Sequence, residues 1–197
     1  MKTAKRSQGM SSKTKFTSLV AGSMALFSIA HPAFADPDLV YDKVDGFWEV
    51  RVDQNLKGCY LAHWYAMEGT ALRIGTNMNT HSGYFTVGNT DWKSLKTDQT
   101  YKISVELSAG NDALSTFYND ASVSVEDHGN LKVLTLTGVK DPKIIQDFAR
   151  SNSIKFIYDR EVISELNLPS ADAAVTSLLE CQNKENQRRD PFAEKKA

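Results

Sequence analysis

Apolar and polar residues alternate along much of the chain, and this two-residue period is typical of β-strands with one buried face. The clearest case is the segment 101–107, where four apolar residues alternate with three polar ones. Segments 47–52 and 121–126 alternate in the same way. Segment 59–65 is apolar on both faces, which predicts a central strand. Further strands are predicted at 70–75, 84–87, 114–118, 131–137, 154–158 and 161–166.

Two segments late in the chain have the period of an α-helix. The first follows Asp141 and Pro142, which suit the N-cap and first position of a helix. Its apolar face consists of Ile144, Ile145, Phe148 and Ala149. The second follows Ser170, a possible N-cap, and its apolar stripe ends at Cys181.

Strands therefore dominate the predicted fold, and both helices come late. We expect a mainly β or α+β domain, a curled antiparallel sheet or sandwich with the C-terminal helix packed on the sheet. Residues 36–46 are expected to form an extended, loosely held lead-in, and the charged segment 183–197 a disordered tail.

The N-terminal 35 residues have the pattern of a cleaved signal peptide. Five basic residues and no acidic one precede or flank an apolar run over 16–30, which is followed by Ala33-Phe34-Ala35. The run is short of the roughly 20 residues that span a bilayer. Translation could start at Met1 or Met10. We predict a signal peptide over 1–35, one domain over 36–182, and a periplasmic or secreted location with no membrane span after cleavage.

Removal of that segment changes the charge of the protein. The full chain has a net charge of −1, but residues 36–197 keep 18 of the 23 basic residues and all 24 acidic ones, so their net charge is −6. Nucleic-acid binding requires a basic surface, so a nucleic-acid partner is not expected. No cofactor motif was recognised.

Cys59 and Cys181 are the only cysteines. In an oxidising compartment they are predicted to form a disulfide that ties the C-terminal helix to an early strand. The chain-entropy model gives about 5 kcal/mol for closing a loop of about 120 residues. The alternatives are two buried free thiols, or a zinc site that includes His63 but lacks an evident fourth ligand.

No hydrolase motif of the G-x-S-x-G, H-E-x-x-H or S-x-x-K type occurs after residue 35. His63 shares a strand face with Cys59 and is predicted to be a hydrogen-bonded core residue. His81 and His128 lie in turn sequences and are predicted to be solvated.

Aromatic residues are crowded between 48 and 92, and most are expected to fill the core of the sheet. The alternative is an aromatic-lined groove beside the loop 76–83, which would bind a peptide, glycan or lipid. The candidate binding residues are Asn77, Asn79, His81, Trp64 and Tyr84.

Three features together resemble a group of small, functionally uncharacterised proteins exported by Gram-negative bacteria. They are the Trp48-x-Val50 strand before Cys59, the Trp92-x-x-Leu95 break, and an ending that runs Leu166-x-Leu168-Pro-Ser170-x-x-Ala173-x-x-x-Ser177-Leu178-x-x-Cys181. Pro169 stands where glycine is usual in that group. The resemblance implies a fold and a compartment, and no activity. The Trp48 strand and the paired cysteines are also faintly similar to the invasion-associated locus B proteins.

The sequence thus predicts a non-catalytic periplasmic protein that binds an envelope or secreted protein. One alternative is an envelope hydrolase or transferase with an unrecognised histidine-based site. The other is an inhibitor of a secreted enzyme that acts through the loop 76–83.

Overall fold

The computed structural model describes residues 39–125, 131–141 and 143–189. The predicted signal peptide, Pro142 and His128 lie outside these residues. The strands are β1 Leu39–Val44, β2 Trp48–Asp53, β3 Gly58–Tyr65, β4 Thr70–Asn77, β5 Ser82–Asn89, β6 Thr100–Ala109, β7 Asp112–Val125, β8 Lys132–Val139, β9 Ser153–Tyr158 and β10 Glu161–Asn167. The helices are α1 Lys143–Arg150 and α2 Ala171–Arg189.

All ten described strands belong to one open antiparallel sheet, in the order β1-β2-β3-β4-β5-β8-β7-β6-β9-β10. The first five strands form a meander. Strands β6 to β8 form a second meander that joins the first through the pair β5–β8. The hairpin β9–β10 then pairs with β6 and leaves β10 as the far edge. The predicted mainly antiparallel fold with two late helices is confirmed.

The inner face of the sheet and the two helices enclose one hydrophobic core. In β2 the side chains of Trp48, Val50 and Val52 are buried, while those between them are half-buried, as the alternating pattern predicts. Helix α2 packs on β1, β2 and β3, and α1 packs on α2, β6 and β7. Among the described residues no helix is long and apolar enough to cross a membrane.

The central strands also bury apolar residues on the outer face, as segment 59–65 predicted. Tyr60, Ala62 and Tyr84 form a small cluster there. Gly75 makes this cluster possible, because a Cβ at that position would lie 2.5 Å from Cβ of Tyr60 and 2.8 Å from the ring of Tyr84. Any side chain there would push the two rings apart.

The predicted disulfide is confirmed. Cys59 in β3 is bonded to Cys181 in α2 over a separation of 122 residues, and both are fully buried. Both thiols are therefore consumed, so the free-thiol and zinc alternatives are wrong. Gln182 reinforces the junction, since its Oε1 accepts hydrogen bonds from the Cys59 N–H at 3.0 Å and the Thr76 hydroxyl at 2.6 Å.

The segment that leads into α2 is fastened to the same strands. The indole N–H of Trp48 donates to the carbonyl of Pro169 at 2.8 Å. The hydroxyl of Tyr65 donates to the carbonyl of Asn167 at 2.7 Å, and burial raises the pKa of that hydroxyl. The disulfide therefore attaches the C-terminal helix to β3, and these hydrogen bonds attach the residues before it to β2 and β3.

Three expectations differ from the structure. Residues 39–44 form the edge strand β1, where a loosely held lead-in was expected, because they pair with β2 and their side chains reach α2. The two strands predicted at 114–118 and 121–126 are parts of one continuous strand, β7, as far as Val125, where the described residues end. Helix α2 continues to Arg189, so the expectation of disorder is wrong for residues 183–189. The sequence pattern failed here because the helix continues on polar contacts such as the Arg188–Glu185 ion pair, at 2.7 Å.

Candidate functional site

A pocket of about 310 Å³ opens at one end of the sheet, between the β4–β5 turn and the start of α1. We call it the end pocket. It forms because β4 and β5 pair only as far as Asn77 and Ser82, and because β8 leaves the sheet at Val139 to enter α1. Its floor is lined by Ile74, Phe85, Val139, Ile144 and Ile145.

The floor of the end pocket is part of the hydrophobic core. Ile74 and Phe85 are 1% exposed and Ile144 is 5% exposed. Gly83 lies opposite Thr76 and two residues before Phe85 on β5, so it belongs to the inner face, where it contributes no side chain. A Cβ placed on Gly83 would have its nearest neighbours at 3.5 Å, an ordinary contact distance. A Cβ at Gly83 would therefore fit without a clash.

The polar rim is built largely from the β4–β5 turn. The Asn77 side-chain oxygen accepts from the backbone N–H groups of Asn79 at 3.0 Å and Thr80 at 3.3 Å. The Asn79 side-chain amide donates to the carbonyl of Asn55 at 3.1 Å. Both asparagines therefore shape and anchor the turn. His81 is exposed, with a left-handed φ of 49°.

Where the rim meets the start of α1, a positive and a negative side chain are adjacent in the sequence. Lys140 is exposed and precedes Asp141, whose carboxylate accepts from the Lys143 N–H at 2.9 Å. Asp141 thus caps α1, as the sequence predicted. Since the capping bond occupies one oxygen of Asp141, Lys140 is the rim residue best placed to meet a group outside the protein.

The five candidate binding residues do not all meet at one site. Asn77, His81 and Tyr84 line the end pocket, whereas Asn79 and Trp64 do not. Trp64 packs on the outer face against Ala71, Leu131 and Val133. Sequence reasoning did not find the contribution of α1, since nothing in the chain signals that Ile144 and Ile145 lie beside the β4–β5 turn.

A second pocket of about 450 Å³ lies near the β1–β2 turn and includes His63 and Trp64. The Nδ1–H of His63 donates to the carbonyl of Phe47 at 2.5 Å, and its ring stacks on that of Phe47 with centroids 3.4 Å apart. The carbonyl can only accept, so Nδ1 carries the proton. His63 is half-buried and hydrogen-bonded, as predicted.

The charged groups of the second pocket are paired with one another. Glu49 lies 2.7 Å from the guanidinium of Arg51 and 3.1 Å from the ammonium of Lys43. Partial burial raises the pKa of Glu49, but the hydrogen bonds from Arg51 and Lys43 outweigh burial and lower it below its ordinary value.

Asp147 is the one fully buried carboxylate of the described residues. It accepts a hydrogen bond from Arg150, and the ammonium of Lys143 lies 3.5 Å away. Burial raises the pKa of Asp147, but Arg150 and Lys143 more than offset that effect, so the pKa is lowered. Asp147 lines neither pocket and acts as a structural group within α1.

Among the described residues no group of three or more histidine, cysteine, aspartate or glutamate side chains could hold a metal ion. No protein-family model, curated protein or solved structure matches the chain. The resemblances inferred from the sequence therefore stay predictions.

Proposed function

We propose that this protein is an exported, non-catalytic binding protein of the cell envelope, and that its end pocket receives an apolar side chain of an envelope or secreted protein. The signal-peptide pattern of residues 1–35 supports export. A buried disulfide is compatible with a compartment outside the cytoplasm.

The observation that carries the proposal is the composition of the end pocket, whose apolar floor continues from the buried core residues Ile74, Phe85 and Ile144 to the half-buried Val139 and Ile145. Binding pockets are mostly apolar, with a few polar groups that orient the ligand. A volume of about 310 Å³ is at the lower end of the usual range of roughly 300–1,000 Å³. It is about twice that of a cavity that holds benzene. One large side chain suits such a space better than a cofactor does.

Site-specific photo-crosslinking tests the proposal. A photo-reactive phenylalanine analogue replaces Ile145, which lines the end pocket and is only half-buried. It is matched by the same analogue at Leu179, which is 51% exposed on α2. In the producing cells we expect one crosslinked partner from position 145 and none from 179.

A pocket-filling variant provides the decisive control. Gly83→Leu adds a side chain at a pocket residue where a Cβ would meet its neighbours at ordinary contact distance, so we expect it to fill the pocket. We expect this change to abolish the crosslink, with circular dichroism unchanged. A crosslink that persists in folded Gly83→Leu, or that is equally strong from position 179, contradicts the proposal.

The two alternatives inferred from the sequence predict other outcomes. A histidine-based enzyme would lose its activity in the cell with His81→Ala, although His81 is exposed and its loss leaves the pocket floor intact. An inhibitor would lose its effect when residues 77–82 are replaced by a short glycine turn. The proposed binding protein should keep its crosslink from position 145 with His81→Ala.

A further inference from the structure

The open sheet has two edges, β1 and β10. At β1, side chains of α2 contact the strand: the hydroxyl of Ser177 donates to the carboxylate of Asp42 at 2.7 Å, and the ammonium of Lys184 lies 4.8 Å from the ring centroid of Tyr41. At the other edge, β9 is the one described strand that pairs with β10, and the carbonyl of the last β10 residue, Asn167, accepts from Tyr65. An uncovered edge presents backbone N–H and C=O groups to any strand that approaches it.

An apolar row and a charged row cross the outer face of the sheet and both end at β10. The apolar row runs through residues that lie directly opposite one another, namely Tyr118, Ser104, Ile157 and Val162. Tyr118 is 80% exposed and Val162 is 52% exposed. Since Ser104 is small, it divides the row into two apolar surfaces. One is Tyr118, and the other consists of Ile157 and Val162 and reaches the edge of the sheet.

The charged row alternates in sign from strand to strand. Glu106, Lys155 and Glu165 lie opposite one another on β6, β9 and β10. The Lys155 ammonium is 3.7 Å from each of the two carboxylates. One cation thus serves two anions, and the outermost anion, Glu165, is 56% exposed at the edge.

We propose that β10 docks an extended segment of a partner polypeptide, with a basic residue opposite Glu165 and an apolar residue opposite Val162. The added strand would continue both rows. In the charged row the position next to Glu165 would hold a cation, because the signs alternate from strand to strand. Backbone hydrogen bonds along the edge would supply affinity, and these two side chains would supply specificity. This surface is separate from the end pocket and does not depend on the proposed function.

A second copy of this chain is a poorer occupant than a basic strand. Antiparallel pairing of two β10 strands about Glu165 would place the Glu165 side chains of the two copies opposite each other. Like charges directly opposite each other destabilise a strand pair. The charge of the edge therefore favours a heterologous partner.

Peptide binding tests the proposal on the whole chain without residues 1–35. The probe is a fluorescein-labelled peptide in which lysine and valine lie two residues apart with threonine between them, so that both can occupy one face of a strand, and its match replaces lysine with glutamate. By fluorescence anisotropy we expect the lysine peptide to bind about three- to tenfold more tightly, the effect of one or two cross-strand charge pairs. Gly83→Leu, which fills the end pocket, should leave this binding unchanged.

Strand pairing is distinguished from charge attraction by backbone N-methylation. Alternate N–H groups of a strand point to opposite sides, so methyl groups on one set block one edge of the peptide. Two lysine peptides are made, one N-methylated at the odd positions and the other at the even positions. One of them should bind as tightly as the unmethylated peptide, and the other should not bind. Equal binding of both would overturn the proposal.

Charge reversal places the site on β10. Glu165→Lys should reverse the preference in favour of the glutamate peptide, whereas Glu180→Lys, with the same change of net charge on α2, should not. The proposal is wrong if the two variants behave alike or if neither peptide binds. It is also wrong if the protein forms a concentration-dependent dimer, measured by analytical ultracentrifugation, that Glu165→Lys alters.

Discussion

The two ends of the sheet are stabilised in different ways. At the β1–β3 end, α2 is joined to the sheet by a buried disulfide and by a hydrogen bond from Ser177. Trp48 donates to Pro169 just before α2, and Tyr65 donates to Asn167 at the end of β10. At the β9–β10 end, strand pairing and apolar burial hold most of the structure, and the ion pairs of Lys155 are long at 3.7 Å. The difference indicates that the early strands depend on the C-terminal helix more than the late hairpin does.

The largest effect is expected from removal of the disulfide. In the double variant Cys59→Ala and Cys181→Ala, the unfolded chain regains the freedom of a loop of 122 residues, and the free energy of unfolding should fall by about 3–5 kcal/mol. Urea unfolding measures this. Wild-type protein with a reducing agent should approach the variant, and equal stability of variant and oxidised wild type would show that the covalent bond does not hold this end.

A smaller loss is expected for Asp147→Asn, which removes the charge that Lys143 and Arg150 compensate in α1. The loss should be about 1–3 kcal/mol, typical of hydrogen bonds to a charged group. The unfolding of this variant at pH 7 is compared with that of Asp172→Asn, an exposed carboxylate in the first turn of α2. An equal loss in both would mean that the ion pairs of the buried Asp147 carboxylate contribute nothing specific.

The lowered pKa of Asp147 also predicts how stability depends on pH. A carboxylate whose pKa is lower in the folded than in the unfolded chain stabilises the fold above its unfolded pKa of about 3.9. That contribution is lost as the pH falls through the folded pKa. Wild type should therefore lose more stability than Asp147→Asn between pH 5 and pH 3, and parallel curves would contradict this.

Much of the fold was predictable because its elements carry local patterns. The alternation in 101–107, the helical stripe ending at Cys181 and the turn residues between strands all correspond to observed elements. β1 was not predictable, since Leu39–Val44 has no clean alternation and is ordered by its contacts with β2 and α2.

The candidate site was less predictable than the fold. Asn77, His81 and Tyr84 were named from a turn sequence and do line the end pocket. Its floor depends on α1 lying beside β4 and β5, a contact between segments more than fifty residues apart. Such a contact is determined by the strand order, in which β8 pairs with β5. Local sequence patterns do not predict strand order.

A modest effect is expected for Ser177→Ala, which removes the hydrogen bond from α2 to Asp42 in β1. That hydrogen bond, with a second from the Lys43 N–H, lowers the pKa of Asp42. The loss of stability should be about 0.5–1.5 kcal/mol. Thr176→Ala is the matched control on the same helix, because the Thr176 hydroxyl bonds only within α2, to the Asp172 carbonyl. If both variants lose the same stability, the contact with β1 is not what matters.

The smallest effect is expected at the opposite end, for Glu165→Lys. Lys155 keeps Glu106 as a partner, and half-exposed ion pairs contribute about 0–1 kcal/mol, so the midpoint of urea unfolding should hardly move. Such a small change in stability would sharpen the contrast between the two ends of the sheet. It would show that folding needs the contacts of α2 but not the charge at β10. A loss above about 2 kcal/mol would show that Glu165 supports the fold. A residue that folding does not need is free to serve the recognition of a partner strand.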